Sequence, residues 1–231
     1  MTDTTTDGVF TDKWRARWPE WRIGAVFVPA AQREIAFAWF ALLQEFSDAA
    51  WAGEDATPGL AKLAWWNEEL RGWAKGARRH PLAGTLQRQA VDWNALAAGL
   101  RGLQSLREPV IAPAADPASA LAPFAAAVAR AEARLFDSGT DPDRSPAAFA
   151  SAAATIAADL HAERTLLLRD AAVAKTLVAA TDVHGKRAPR PRRLQSAYLH
   201  ARLRALAQGA AVETAAPWRT LRLSWRAARA V

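Results

Sequence analysis

Prolines set the frame of this chain. Pro29, Pro58, Pro81, Pro117, Pro146, Pro191 and Pro217 each head a segment rich in Ala, Leu and Arg. Proline lacks the backbone N–H, and the first turn of a helix leaves that donor without an intrahelical partner anyway. Thr57, Asp116 and Ser145 stand just before three of these prolines and offer capping oxygens. The pattern predicts helices over 29–51, 58–75, 81–106, 117–136, 146–181, 191–208 and 217–230. Apolar residues recur at helical spacing in the first, at Ile35, Ala38, Trp39, Leu42, Leu43 and Phe46. They do so again in the second, at Leu63, Trp66, Leu70 and Trp73. β-Branched residues are sparse, and the connections are rich in Pro, Gly or charge. With 51% hydrophobic residues and 11 Trp, there is enough apolar bulk to fill one core. The predicted fold class is all-α, a single-domain helical bundle of about seven helices.

Several chemistries are excluded at once. The chain has no Cys, so it forms no disulfide, offers no thiolate nucleophile and holds no Cys-ligated metal. No apolar run reaches the roughly 18 residues of a membrane span. The polar, acidic start from Met1 to Gly8 does not read as a secretory signal, which makes the cytoplasm the expected compartment. His80, just before Pro81, reads as a capping or packing residue. His161, His184 and His200 lack partners at zinc-binding spacing.

Charge is unevenly placed. The stretch 184–231 carries ten Arg and one Lys against Glu213 alone, a net +10, while the rest of the chain is −3. Such a block suits an anionic partner, whether a membrane surface, nucleic acid or a diphosphate. It equally suits an Arg-rich face in water. In the last predicted helix Trp218, Leu221, Trp225 and Ala228 form one stripe, and Arg219, Arg222, Arg226 and Arg229 form the stripe beside it. The expected arrangement buries the Trp stripe against the bundle and leaves Arg in water. The alternative lays Trp218, Arg219, Arg222, Trp225 and Arg226 on a membrane surface, peripheral to the inner membrane. No DNA- or RNA-binding motif appears, so nucleic acid is not an expected partner.

Three segments carry a resemblance. The first is Phe27-Val28-Pro29, Arg33 and the run from Ala38 through Gln44, Ser47 and Asp48 to Trp51. The second is Leu63-Ala64-Trp65-Trp66-Asn67-Glu68-Glu69-Leu70, followed by His80-Pro81. The third is Leu166-Leu167-Leu168-Arg169-Asp170. In this order they resemble the squalene/phytoene synthase family, whose members join two isoprenyl diphosphates head to head. The likeness is clear from Phe27 to Lys75 and faint from there to 181. It implies an isoprenoid-synthase type of helical fold over 13–183, preceded by an unstructured 1–12 and followed by a basic helical pair over 184–231. It also implies that acidic residues bind Mg²⁺, which bridges carboxylates to substrate phosphates. On the matching positions the expected metal ligands are Asp48 and Asp170, and the expected diphosphate holders are Arg33 and Arg169. The expected lining of an apolar cavity is Trp39, Leu43, Trp51 and Trp66.

The sequence also departs from that pattern. Ser47 and Trp51 stand where the first motif has acidic residues, and Ala174 stands four residues after Asp170. Each carboxylate pair is thereby reduced to one. Asp159 and Glu163, at i and i+4 on one helix face, are the candidate replacements, against the simpler reading that Glu163 pairs with Arg164 or Arg169 on a solvated face. Three functions follow as expectations. The first is a catalytically impaired relative that binds an isoprenoid or lipid, or serves as an accessory or assembly factor for a protein partner. The second is an active prenyltransferase with a rebuilt Mg²⁺ site. The third is a structural interaction module. No other cofactor is expected.

Overall fold

The structure, a computed structural model, describes residues 4–107, 117–136, 145–180, 188–212 and 216–229. Among them every regular element is helical. In order they are α1 (Thr4–Arg17), α2 (Trp21–Gly24), a 3₁₀ turn (Ala25–Phe27), α3 (Ala30–Trp51), α4 (Ala56–Trp73), α5 (Ala83–Leu86) and α6 (Trp93–Ser105). Then come α7 (Pro117–Phe136), α8 (Pro146–Leu168), α9 (Ala171–Ala180), α10 (Arg190–Ala207) and α11 (Pro217–Arg229). Among the described residues no helix is long and apolar enough to cross a membrane.

The bundle is built around α3. It starts behind Pro29 and packs against α1, α4, α5, α6, α7 and α8, so it is buried on nearly every side from Ala36 onward. Its Trp39 and the Trp66 of α4 are fully buried. Each such indole removes roughly 150–250 Å² from water, about 4–6 kcal/mol of transfer free energy. The end of α3 is closed by Arg107, whose guanidinium donates to the carbonyls of Ala50 and Ala52 at 2.9 Å, and to those of Gly53 and Asp55. A cation is well placed there, because the last carbonyls of a helix have no partner in the helix itself.

The structure differs from the sequence expectation in five places. Helix α1 begins at Thr4, where 1–12 reads as unstructured. The segment 81–106 is two helices, because Asp92 accepts from Ala95 N–H at 2.9 Å and starts α6 afresh. The segment 146–181 is also two. Arg169 takes a left-handed conformation (φ 54°) and ends α8, and Asp170 caps α9. With α1 and the short α2 added, eleven α-helices replace about seven among the described residues. The capping residue of α4 is Asp55, which accepts from Thr57 N–H, and Ser145 makes no side-chain cap at α8; Asp116 lies outside the described residues.

The fifth difference is the face on which α11 docks. Thr220, Ser224 and Ala228 are buried, whereas Trp218, Leu221 and Trp225 are 61%, 50% and 48% exposed. Of the stripe expected to be buried, only Ala228 is. Docking uses polar anchors instead: Tyr198 and Ser224 share a hydrogen bond at 2.7 Å, and Arg193 donates to the carbonyls of Ala227 and Ala228 at 3.0 Å. Small residues let the elements close in around Tyr198, and at Gly24 a Cβ would stand 2.1 Å from its hydroxyl.

Candidate functional site

Two clusters of carboxylates face the interior, each already matched with cations. The first joins α1, α3 and α4. Glu45 accepts from Lys13 at 2.8 Å and from Lys62 at 2.6 Å. Asp48, one turn on, accepts from Arg17 at 2.7 Å and faces Lys13 at 3.4 Å. Burial works to raise the Glu45 carboxyl, but the hydrogen bonds and charges of Lys13 and Lys62 outweigh it and hold the group below its ordinary 4.5.

The second cluster joins α7, α8 and α10. Arg192, 5% exposed, grips Glu132 through Nε at 3.0 and 3.1 Å and through Nη2, and its Nη1 stands 3.5 Å from Asp159. Asp159 also accepts from Ser196, and His200 Nε2 lies 3.2 Å from it. Trp39 Nε1 donates to Glu132 at 2.9 Å, which ties this cluster to α3. Burial works to lower the Arg192 guanidinium, but Glu132, Asp159 and Glu163 raise it, so the cation stays locked in place.

Glu163 stands between the clusters. Its carboxyl feels Arg17, Ser47, Asp48 and Arg192, and it shares the wall of a cavity with Arg169. The Ser47 hydroxyl is close enough to pull its proton affinity down, without the geometry of a full hydrogen bond. Burial prevails, helped by Asp48, and pushes the carboxyl up to about 7. Gln44 Oε1 and Trp51 Nε1 share a face of α3 with Ser47, and all three polar atoms are buried without a hydrogen-bond partner among the described residues.

Glu163 opens onto a cavity of 480 Å³. Arg17, Arg169 and Arg202 supply its charge, and Trp18, Leu166 and Leu206 part of its apolar wall. Arg202 is held by Glu20 at 2.7 and 2.9 Å and stacks over Trp18. Arg169 owes its place to the left-handed turn, a conformation that costs a non-glycine residue about 1 kcal/mol. Arg17 and Arg202 are paired with Asp48 and Glu20, so an anionic head on an apolar body would meet Arg169 beside the apolar wall.

The structure sorts the expected site residues. Asp48, Asp159 and Glu163 come together around Arg17 and Arg192, and Arg169 lines the cavity. Asp170 does not join them: it is exposed and accepts from Val173 N–H at 3.0 Å. Arg33 donates to Val28 O at 2.9 Å and lies about 22 Å along α3 from Asp48 by the helical rise. Trp39, Leu43, Trp51 and Trp66 are all buried in the packed core and are not among the cavity's walls. Among the described residues no three of His, Asp and Glu gather to hold a metal ion. The Mg²⁺ that the family resemblance implies does not fit this donor set. Asp48 and Asp159 already accept from cations, and a hard divalent ion needs those oxygens.

Arg17, Arg192, Arg202, Glu132, Ser196 and His200 escape a reading of the sequence. Arg192, Ser196 and His200 recur at four-residue spacing and so share a face of α10, which is the one signal that points to them. Much of the basic tail is thus spent inside: Arg192, Arg193 and Arg202 hold interior or helix-end groups.

Glu163 makes a prediction about pH. Its folded value lies above the ordinary 4.5, so the folded state binds the proton more tightly. Stability from this group is full below 4.5 and is lost as pH rises through about 7. The whole interval corresponds to about 3 kcal/mol, and partial access to the cavity reduces the expected effect to about 1–2 kcal/mol. Glu163→Gln should therefore gain about 1–2 kcal/mol on the parent between about pH 5 and about pH 8 in urea denaturation. A difference that stays flat across that range would show that the carboxyl titrates normally.

Compared with models of known families, with curated proteins and with solved structures, the chain has no match.

Proposed function

We propose that this chain is a non-catalytic helical protein of the squalene/phytoene synthase type, with an isoprenoid-synthase fold, that holds an anionic isoprenoid or lipid without turning it over. One observation carries the reading. The inward carboxylates, which a metal-dependent coupling enzyme would give to Mg²⁺, are given to Arg17, Lys13 and Arg192. Cations of the chain itself take up the charge that the metal would take up. They cannot leave with a product or bridge to a departing diphosphate, so coupling loses its main electrostatic help. The cavity beside them sets Arg169 next to an apolar wall, which suits an anionic amphiphile.

Calorimetric titration with farnesyl thiodiphosphate, with and without Mg²⁺, tests this. The expected result is binding of equal strength in both conditions. Arg169→Gly is the matching variant: it relieves the left-handed strain and removes one guanidinium. It should fold at least as stably as the parent and bind about tenfold more weakly. Binding that strictly requires Mg²⁺ would instead favour an active prenyltransferase with a rebuilt site. Absence of binding in both conditions would end the ligand reading and leave an accessory or interaction role.

A further inference from the structure

Helix α11 exposes what a docking helix ordinarily hides. Trp218, Leu221 and Trp225 fall within a narrow arc on the solvent side, at 61%, 50% and 48% exposure. Arg222 and Arg229 border that arc, and Arg219 and Arg226 continue around the helix. Arg219 lies over the Trp218 ring at 5.1 Å and Arg229 over the Trp225 ring at 4.8 Å, so rings and guanidiniums form one surface. The helix contains no acidic residue. Its docked side is engaged through Ser224 with Tyr198 and through Arg193 on its last carbonyls, which turns the exposed arc outward.

We propose that α11 docks the protein on an anionic lipid bilayer, lying in the interface with Trp218, Leu221 and Trp225 in the headgroup boundary and its arginines on lipid phosphates. Charge complementarity chooses this occupant. Four guanidiniums call for a dense field of anions, and indoles beside them suit the level where apolar tails meet wet headgroups. A second copy would bring like charge against like charge. The stripe, three side chains wide, also falls short of the roughly 800 Å² that each partner of a stable complex buries. The segment leading into the helix adds a link to the cavity, since Ala210, Ala211 and the exposed Val212 form part of its wall. The docking itself does not depend on the ligand proposed above.

Vesicle sedimentation of the full chain tests it, with phosphatidylcholine vesicles with and without phosphatidylglycerol. Binding is expected to the anionic vesicles only and to weaken as salt is raised. Arg222→Gln with Arg226→Gln should lower partitioning roughly 25-fold, at about fivefold per arginine. Trp218→Ser with Trp225→Ser should lower it at least about tenfold. All four positions are exposed. The melting temperature should therefore stay at that of the parent, which separates lost docking from lost folding. Three results would overturn the proposal: no sedimentation with anionic vesicles, sedimentation unchanged in both variants, or a concentration-dependent dimer that the Trp variant abolishes.

Discussion

Arg192→Leu is expected to destabilise the protein by about 3–5 kcal/mol, the largest loss at any single charged position. The reason is what it leaves behind. Glu132 is 1% exposed and would keep only the Trp39 indole N–H, while Asp159, 2% exposed, would keep Ser196 and His200. Two buried carboxylates would lose their shared cation, and the cost of a buried unpaired charge exceeds the value of the pair itself. The second carboxylate is therefore part of the prediction. Arg192→Leu combined with Glu132→Gln should recover at least about 2 kcal/mol relative to additivity. Arg192→Lys should fall between parent and Leu, because an ammonium keeps the charge but loses the two-pronged grip on Glu132. Urea denaturation of these three variants and of Glu132→Gln alone reads all of this. A loss below about 1 kcal/mol for Arg192→Leu would mean that water reaches the cluster and screens it.

Glu69→Ala should cost about 3–4 kcal/mol by the same measurement, and for a different reason. This carboxylate is fully buried and accepts from Trp73 Nε1 at 2.8 Å, Arg79 N–H at 3.2 Å, Arg79 Nε at 2.8 Å and His80 N–H at 3.0 Å. Truncation leaves two backbone donors and an indole donor without a partner, at about 1–3 kcal/mol for each buried group. Burial works to raise the Glu69 carboxyl, but the hydrogen bonds from Trp73, His80 and Arg79 hold it below its ordinary 4.5. Its contribution is thus full above 4.5 and is lost as pH falls through the lowered value, so parent and Ala variant should converge in acid. Glu69→Gln keeps Oε1, which takes three of the four hydrogen bonds, and should cost about 1 kcal/mol. Equal losses for Ala and Gln would show that the charge, and not the acceptor, matters.

That pair of results bears on the most specific part of the family resemblance. Trp65-Trp66-x-x-Glu69-Leu70 and His80-Pro81 read as two motifs, and in the fold they are one joint. Glu69 holds the backbone at Arg79 and His80, His80 packs on the Trp66 ring at 4.5 Å, and its Nδ1 caps Leu82 N–H at 3.2 Å. The capping or packing role read for His80 from its place before Pro81 is what the geometry shows. A joint of this kind reports on architecture and carries no chemistry by itself.

Much of the helical layout was legible because its causes are local. Proline starts, capping carboxylates and the three-and-four spacing of Trp and Leu act within a turn or two, so α3, α4, α7, α10 and α11 begin and end close to where they were expected. The breaks were harder for the same reason. Arg169 in a left-handed turn and Asp92 as a fresh cap are local choices that propensity does not single out. The interior charge pattern lay beyond local reading. Arg17 and Asp48 are 31 residues apart, Arg192 and Glu132 are 60 apart, and Arg202 and Glu20 are 182 apart. No spacing rule connects such positions, and only packing decides which guanidinium is drawn in and which stays in water.

The sequence by itself determined that the chain is helical, free of thiol chemistry and basic toward its end, because these follow from residue types and their nearest neighbours. Only the tertiary structure decided that Asp48 and Asp159 face arginines, that Asp170 caps a helix on the surface, and that α11 turns its tryptophans outward. Each of those outcomes depends on which surface an element meets. A helix with an apolar stripe and a small-residue stripe has two faces it can bury. Here Tyr198 and Arg193 selected the face carrying Ser224 and Ala228.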